Sequence, residues 1–310
     1  MKNLKIIGYG KDKGNKIIQF DNNIRHRMDE TQSHYTMSVN AVEQALLVAE
    51  CTIDDMDLIV YASAVGYQPI PCSASLILEK FEPKNPIPCM DINTTCTSFI
   101  TALDTISYMV HDGRYNRVLI LSAETASLGI NPDQKESYEL FSDGAAAIIV
   151  EKDETAESGV MFGMWQTWTQ GAHNTEIRGG LSSLHPRHYT KENKAEYLFD
   201  MNGPKILRLV AKKIPEFVQQ LEKEIGMTLG DIDLIIPHQA SRALPVIMKK
   251  LGVKEGKYMN HVEEYGNMIA ASVPYLLCLA LEENRIKKGN TVLLFGTAAG
   301  LTISGLLIKI

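Results

Sequence analysis

The stretch Asp91-Ile-Asn-Thr-Thr-Cys96-Thr-Ser-Phe places a cysteine where a buried strand ends and a helix begins near Phe99. Unpaired amides and the helix dipole at such a position stabilise a thiolate, the nucleophilic form of the side chain. Cys96 is therefore expected to titrate below the ordinary thiol value of about 8.5. The competing reading is that a free cysteine is a small buried hydrophobe. That reading suits Cys51, Cys89 and Cys278, which fall in helix or strand interiors, and no second cysteine is expected at a helix start.

Two further groups stand at comparable positions. In Ile235-Ile-Pro-His238-Gln-Ala-Ser the histidine follows an apolar run, at the strand end where α/β proteins place their sites. A lone histidine is more often a satisfied core residue. In Glu264-Tyr-Gly266-Asn267-Met-Ile-Ala-Ala-Ser, the Gly-Asn pair is a turn signal before a helix expected over Met268–Leu281, and Asn267 could be no more than its N-cap. Phe295-Gly296-Thr-Ala-Ala-Gly300-Leu-Thr reads as a glycine-containing loop between two buried strands, whose amides can approach a ligand closely. Cys96, His238 and Asn267 thus form a coherent set at strand-to-helix turns.

The elements that must hold them follow from periodicity. Leu58–Ala62, Ile87–Ile92, Val118–Ala123 and Ala145–Val150 are short aliphatic runs bounded by charge or turn residues, as buried strands are. Between them Ala41, Val42, Ala45, Leu46 and Ala49 share one helical face, and Phe99, Ala102, Leu103, Ile106, Met109 and Val110 another, with Gly113 a plausible stop. Alternation of this kind predicts α/β layers. The second half repeats the first. Asp55-Met-Asp-Leu-Ile-Val60 returns as Asp231-Ile-Asp-Leu-Ile-Ile236, Val118–Leu121 as Val292–Phe295, and Gly144–Val150 in the closing Gly300–Ile310 run. Three matches in order favour an internal duplication. We divide the chain into residues 1–165, with the cysteine, and 166–310, with the histidine and asparagine. The irregular segment Gly163–Asn202 is assigned as the connection between them, with a surface or lid role.

Composition narrows the function classes. The 310 residues are 45% hydrophobic and 22% charged, which is ordinary globular usage and excludes disorder and low complexity. A net charge of −6 disfavours a broad nucleic-acid-binding face. No apolar run reaches the roughly 18–20 residues of a membrane span, and the N-terminal stretch lacks the pattern of a signal peptide. Five scattered cysteines without an export signal are expected as reduced thiols, which places the protein in the cytoplasm. Gly8-X-Gly10-X-X-X-Gly14 nearly fits a dinucleotide fingerprint, but the β-like Lys16–Phe20 follows it in place of a helix. His185-Pro-Arg-His188 lacks helical spacing and a third ligand, so no metal is expected.

Asn-Thr-Thr-Cys96-Thr-Ser-Phe, Ile-Pro-His238-Gln-Ala-Ser, Tyr-Gly-Asn267-Met-Ile-Ala-Ala-Ser-Val-Pro and Phe-Ser-Asp-Gly-Ala-Ala-Ala resemble the signature stretches of the β-ketoacyl-ACP synthase III family, from about residue 35 to 310. The resemblance implies a thiolase fold, with two duplicated α/β halves in a five-layered αβαβα architecture. It implies that the Cys96 thiolate attacks an acyl thioester, with the Cys96 and Ala299 amides as oxyanion hole. His238 and Asn267 would then stabilise the enolate formed when a malonyl thioester, expected to be malonyl-ACP, loses carbon dioxide. The product would be a β-ketoacyl thioester for fatty acid or polyketide-type biosynthesis.

Two rivals remain. One is an acyltransferase on the same fold that passes the acyl group to an alcohol or amine, which would need no enolate donors. The other is a non-catalytic partner subunit of a related synthase, which would be expected to lose its nucleophile. No cofactor is expected beyond phosphopantetheine-borne substrates. A homodimer is expected, with Ile70 of Gln68-Pro-Ile-Pro-Cys72 shaping the partner's acyl pocket. The family's coenzyme A segment, a tryptophan followed by Thr-Gly-Ile-X-X-Arg, appears here as Asn-Asn-Ile24-Arg-His-Arg27 without a tryptophan. Together with the basic residues Arg242, Lys249, Lys250, Lys212 and Lys213, this favours an acyl carrier protein as donor over coenzyme A.

Overall fold

The computed structural model describes all residues, Met1–Ile310. In chain order the first part contains β1 (Lys2–Asn3), β2 (Lys5–Lys13), β3 (Lys16–Phe20), β4 (Asn23–Arg27), α1 (His34–Val48), β5 (Leu58–Ala62), α2 (Ser73–Glu79) and β6 (Cys89–Ile92). It continues through α3 (Ser98–His111), β7 (Arg117–Glu124), α4 (Ala126–Gly129), α5 (Lys135–Tyr138) and β8 (Gly144–Glu151). The remainder contains β9 (Gly159–Thr167), β10 (Thr175–Glu176), β11 (Asp200–Met201), α6 (Gly203–Ile225), β12 (Leu234–Pro237), α7 (Leu244–Lys250), α8 (Ser272–Glu282), β13 (Thr291–Ala298) and β14 (Thr302–Lys309).

Two five-stranded sheets have the orders β2-β8-β7-β5-β6 and β1-β9-β14-β13-β12. Their pairing rules correspond. β5 is parallel to β7 as β12 is to β13, β7 is antiparallel to β8 as β13 is to β14, and β8 is antiparallel to β2 as β14 is to β9. The entry turns repeat as well. Thr52 and Asp55 form a capping box before β5, and Thr228 and Asp231 form one before β12. Asp57 then accepts the Arg117 amide and Asp233 the Thr291 amide, which tie each strand to its parallel neighbour. The division at 165/166 falls inside β9. By strand pairing the chain changes sheets in the turn after β8, and β1 already belongs to the second sheet.

The core is layered. The buried faces of both sheets enclose α3 and α8, with Phe99, Leu103, Ile106, Val273, Leu276 and Leu277 between Val60, Ile120, Ile236 and Leu294. α1 and α2 cover the outer face of the first sheet, and α6 and α7 that of the second. These are the five αβαβα layers expected. Gly8 and Gly10 lie on β2 under α1, where an added Cβ would meet the Ala45 and Ala41 carbonyls, so they serve close packing and not a nucleotide. No helix is long and apolar enough to cross a membrane.

Candidate active site

Cys96 stands two residues before α3, after a tightly wound turn. Asn93 Oδ1 accepts the Thr95 amide at 2.9 Å, and its Nδ2 donates to the Ala64 carbonyl at 2.8 Å. Ser98 Oγ accepts the Thr94 amide at 3.0 Å and donates to the Thr95 carbonyl at 2.6 Å. These bonds hold Thr95 at φ 53°, a left-handed conformation rare for a β-branched residue, directly before the nucleophile candidate.

The β13–β14 loop reaches over the sulfur from the other half. The Ala299 and Cys96 amides both act on it, favouring the thiolate. Burial and the nearby Glu124 carboxyl outweigh them and push the thiol up to about 12. The expectation of a resting thiol below 8.5 is therefore corrected. The first amides of the helix turn bond to Thr94 and Thr95 carbonyls, which leaves little of the helix terminus to offset desolvation. A second correction concerns Cys72, which is the N-cap of α2, so Cys96 is not alone at a helix start.

His238 follows β12 and is 5% exposed. Its amide donates to the Phe295 carbonyl at 2.8 Å, extending the parallel ladder by one residue. Gly296 sits between the halves here. A Cβ on it would lie 3.1 Å from Thr97 Cγ2 and 3.4 Å from His238 Cβ, so its bare backbone lets the cysteine turn and the histidine strand close on each other. Burial lowers the imidazole to about 4, which leaves it neutral at pH 7. A neutral imidazole can donate one hydrogen bond and makes a weak base.

Asn267 is 5% exposed, in the turn before α8. Its backbone is clasped by the first half. The amide donates to Leu140 O at 2.9 Å, and its carbonyl accepts from the Ser142 amide at 3.0 Å. Its Oδ1 accepts the Ile269 amide at 2.8 Å. The expectation of an N-cap is corrected: Met268 caps the 3₁₀ turn and Ala271 caps α8, and the Asn267 bond to Ile269 closes an i to i+2 side-chain turn that occupies Oδ1 and leaves Nδ2 as the group's donor. The helix itself starts later than Met268. Ile269–Ala271 form a 3₁₀ turn, Ile269 has φ 49°, and α8 begins at Ser272.

Two residues at the site were missed in the sequence. Glu124 ends β7 at 1% exposure, and its Oε1 accepts the Ala64 amide at 2.6 Å. Burial raises its carboxyl to about 8, while the Ala64, Ala270 and Val65 amides pull the other way. An acidic residue closing an apolar strand, Val118-Leu-Ile-Leu-Ser-Ala-Glu124, was the available signal. Asp143, in the Phe-Ser-Asp-Gly stretch, accepts from the Met28 and Ser127 amides at 2.9 and 2.8 Å, joining β4 to α4 beside the site.

The remaining sequence candidates lie apart from this cluster. Ile70 is 82% exposed on the loop before α2, close in sequence to exposed Val65 and Tyr67. Arg242 pairs with Glu139 at 3.6 Å, and Lys213 with Glu216 at 2.6 Å. Lys249 and Lys250 are exposed in the last turn of α7. Exposed Lys212 lines a polar groove with Lys205, Arg208, Gln170 and Asn174. No group of three or more His, Cys, Asp or Glu side chains is placed to hold a metal.

Residues 90–167 match the family model for 3-oxoacyl-[acyl-carrier-protein] synthase III, and residues 221–310 match the model for its C-terminal part. A β-ketoacyl-[acyl-carrier-protein] synthase III of Clostridium perfringens is 30% identical over 100% of both chains. The chain belongs to the β-ketoacyl-ACP synthase III family. A synthase III of Natranaerobius thermophilus is 31% identical over 92% of this chain and 87% of that one. The crystal structure of a 3-oxoacyl-[acyl-carrier-protein] synthase III from Aquifex aeolicus superposes with a TM-score of 0.86 at 24% identity, covering 99% and 100% of the two chains. That likeness carries the fold alone. In this chain Cys96 belongs to the first half, and His238 and Asn267 to the second.

Proposed function

We propose that this synthase III condenses an acyl group, held as a thioester on Cys96, with a malonyl thioester. The observation that carries the reading is the pair of buried, uncharged donors. His238 is neutral, and Asn267 has its Oδ1 occupied by Ile269, so both can donate but neither is a good base. Such donors suit a developing enolate oxygen.

In the first step Cys96 Sγ forms a bond to the acyl carbonyl carbon, and the bond to the pantetheine sulfur breaks. The thiol proton leaves with the departing sulfur, so no net base is consumed. The Cys96 and Ala299 amides hold the tetrahedral oxyanion. In the second step a malonyl thioester loses carbon dioxide, and the electron pair passes into an enolate held by His238 and Asn267. Its α-carbon attacks the acyl carbonyl. The Cys96 sulfur leaves as a thiolate and takes up one proton from solvent, which its raised affinity favours.

The donor is proposed to be an acyl carrier protein. The exposed cations Lys205, Arg208, Lys212, Lys249 and Lys250 offer it a basic surface, while Arg242 and Lys213 are engaged by Glu139 and Glu216. A homodimer is proposed as the working unit, with exposed Val65, Tyr67 and Ile70 covered by a second copy. Fatty acid biosynthesis is the process this chemistry serves.

Intact-mass spectrometry after exposure to acyl thioesters tests the first step. Cys96→Ala is expected to abolish the adduct, and an adduct persisting on Cys72 overturns the assignment. Asn267→Ala is expected to leave acylation intact and to slow carbon dioxide release about 100- to 1,000-fold, the usual cost of one oxyanion donor. Equal loss of both steps would reduce Asn267 to a structural turn residue.

A further inference from the structure

We infer that Arg25 is the positioning residue for Asn267, a fully buried clamp that sets the enolate donor against the first half of the molecule. The inference rests on the condensation reading above and concerns a residue that touches no reacting atom.

Arg25 is 0% exposed, an unusual state for a guanidinium. Its Nε donates to the Glu139 carbonyl at 2.7 Å and its Nη1 to the Glu263 carbonyl at 3.1 Å, while Nη1 also bonds the Ile24 carbonyl. The two outer acceptors belong to different halves. Glu139 precedes Leu140–Ser142, whose backbone clasps Asn267. Glu263 lies four residues before Asn267. The Ile24 amide donates to the same Glu263 carbonyl at 2.7 Å, so β4 grips that turn twice. Between the two contact points the chain passes directly over the guanidinium stem. Gly266 has φ 66°, and a Cβ there would fall 2.7 Å from Arg25 Cδ and 2.8 Å from Nε. Both strands of backbone that fix Asn267 are thus referenced to one planar, rigid fork. Lysine has one nitrogen in place of three and cannot bridge the same carbonyls.

A purely structural arginine would affect both half-reactions alike. A positioning residue affects only the step that uses Asn267. The test compares Arg25→Lys, Asn267→Ala and the double variant, each in the full chain, with two readouts. These are acyl loading of Cys96 by intact mass and carbon dioxide release from a malonyl thioester. Arg25→Lys is expected to load within about twofold of the parent. Its carbon dioxide release should fall by about 100-fold, the scale of a misplacement near 1 Å. In the Asn267→Ala background the same change should cost no more than about twofold further. Equal losses in loading and release, or full additivity in the double variant, overturn the inference. Arg25→Gln, which removes the fork and leaves the Asn267 backbone bonds to Leu140 and Ser142 untouched, serves if Arg25→Lys does not fold. It should show the same selective loss, and an indiscriminate loss again overturns the proposal. If Asn267→Ala is slow while Arg25→Lys releases carbon dioxide normally, the clamp alone fails. If Asn267→Ala itself releases carbon dioxide normally, the condensation reading fails and the clamp with it.

Discussion

At the scale of single residues the site is built from neutral groups. Cys96 is held as a thiol, His238 as an imidazole, and Glu124 is close to half-protonated near pH 8. Alkylation of Cys96 in the free enzyme is therefore expected to rise through the alkaline range with a midpoint above 8.5, and a lower midpoint would restore an activated thiolate. Glu124 raises the Cys96 thiol, so Glu124→Gln should move the alkylation midpoint downward. The same variant has a stability signature. A carboxyl at about 8 when folded and 4.5 as its reference binds more protons folded than unfolded between those values. Its contribution is complete below pH 4.5 and is lost as pH rises through 8. Thermal melts of Glu124→Gln should therefore gain on the parent steadily from pH 5 to pH 8. A constant difference across that range would mean the carboxyl is not raised. His238 acts in the opposite sense. Its folded value is depressed, so stability falls as pH drops from 6.5 towards 4.

At the scale of elements, the site depends on three turns that meet at strand ends. The Asn93–Ser98 turn presents the sulfur, the β13–β14 loop presents the Ala299 amide, and the Glu263–Asn267 turn presents the carboxamide. The loop before α2 stands apart from them and exposes Ile70. If a second copy covers that loop, a larger side chain there narrows the partner's acyl pocket. Ile70→Trp is expected to shorten the longest acyl chain accepted without unfolding the protomer, whose own core does not include Ile70. An unchanged chain-length profile would remove Ile70 from the pocket.

At the scale of the whole molecule, the proposed carrier-protein donor rests on charge and surface. The arginines of the β3–β4 hairpin are engaged inward. Arg25 bonds main-chain carbonyls and Arg27 Nη2 donates to Tyr138 O at 2.7 Å. Trp165 and Trp168 both lie on β9 or directly after it. Lys213 lies 5.7 Å from the Trp168 ring. Loading of Cys96 from an acyl carrier protein is therefore expected to exceed that from the matching coenzyme A thioester by about tenfold, or about 1.4 kcal/mol. Raising ionic strength should erode the difference, since exposed cations on α6 and α7 would supply it. Equal loading from both donors with no salt dependence would contradict this.

Much of this was written locally. The duplicated Asp-X-Asp entry turns, the aliphatic strands and the positions of Cys96, His238 and Asn267 at their ends are all short-range patterns, so the linear order exposes them. The family signatures lie in the same stretches. What the linear order does not contain is which distant backbone each group meets. Arg25 reads only as part of a coenzyme A segment without its tryptophan until it is placed against Glu139 and Glu263, 114 and 238 residues away. Glu124 reads as the polar end of a strand until burial holds its proton. The upward shift of the Cys96 thiol has the same origin. A helix dipole can be inferred from sequence, but desolvation depends on how tightly the second half closes over the sulfur, and that packing exists only in the folded chain.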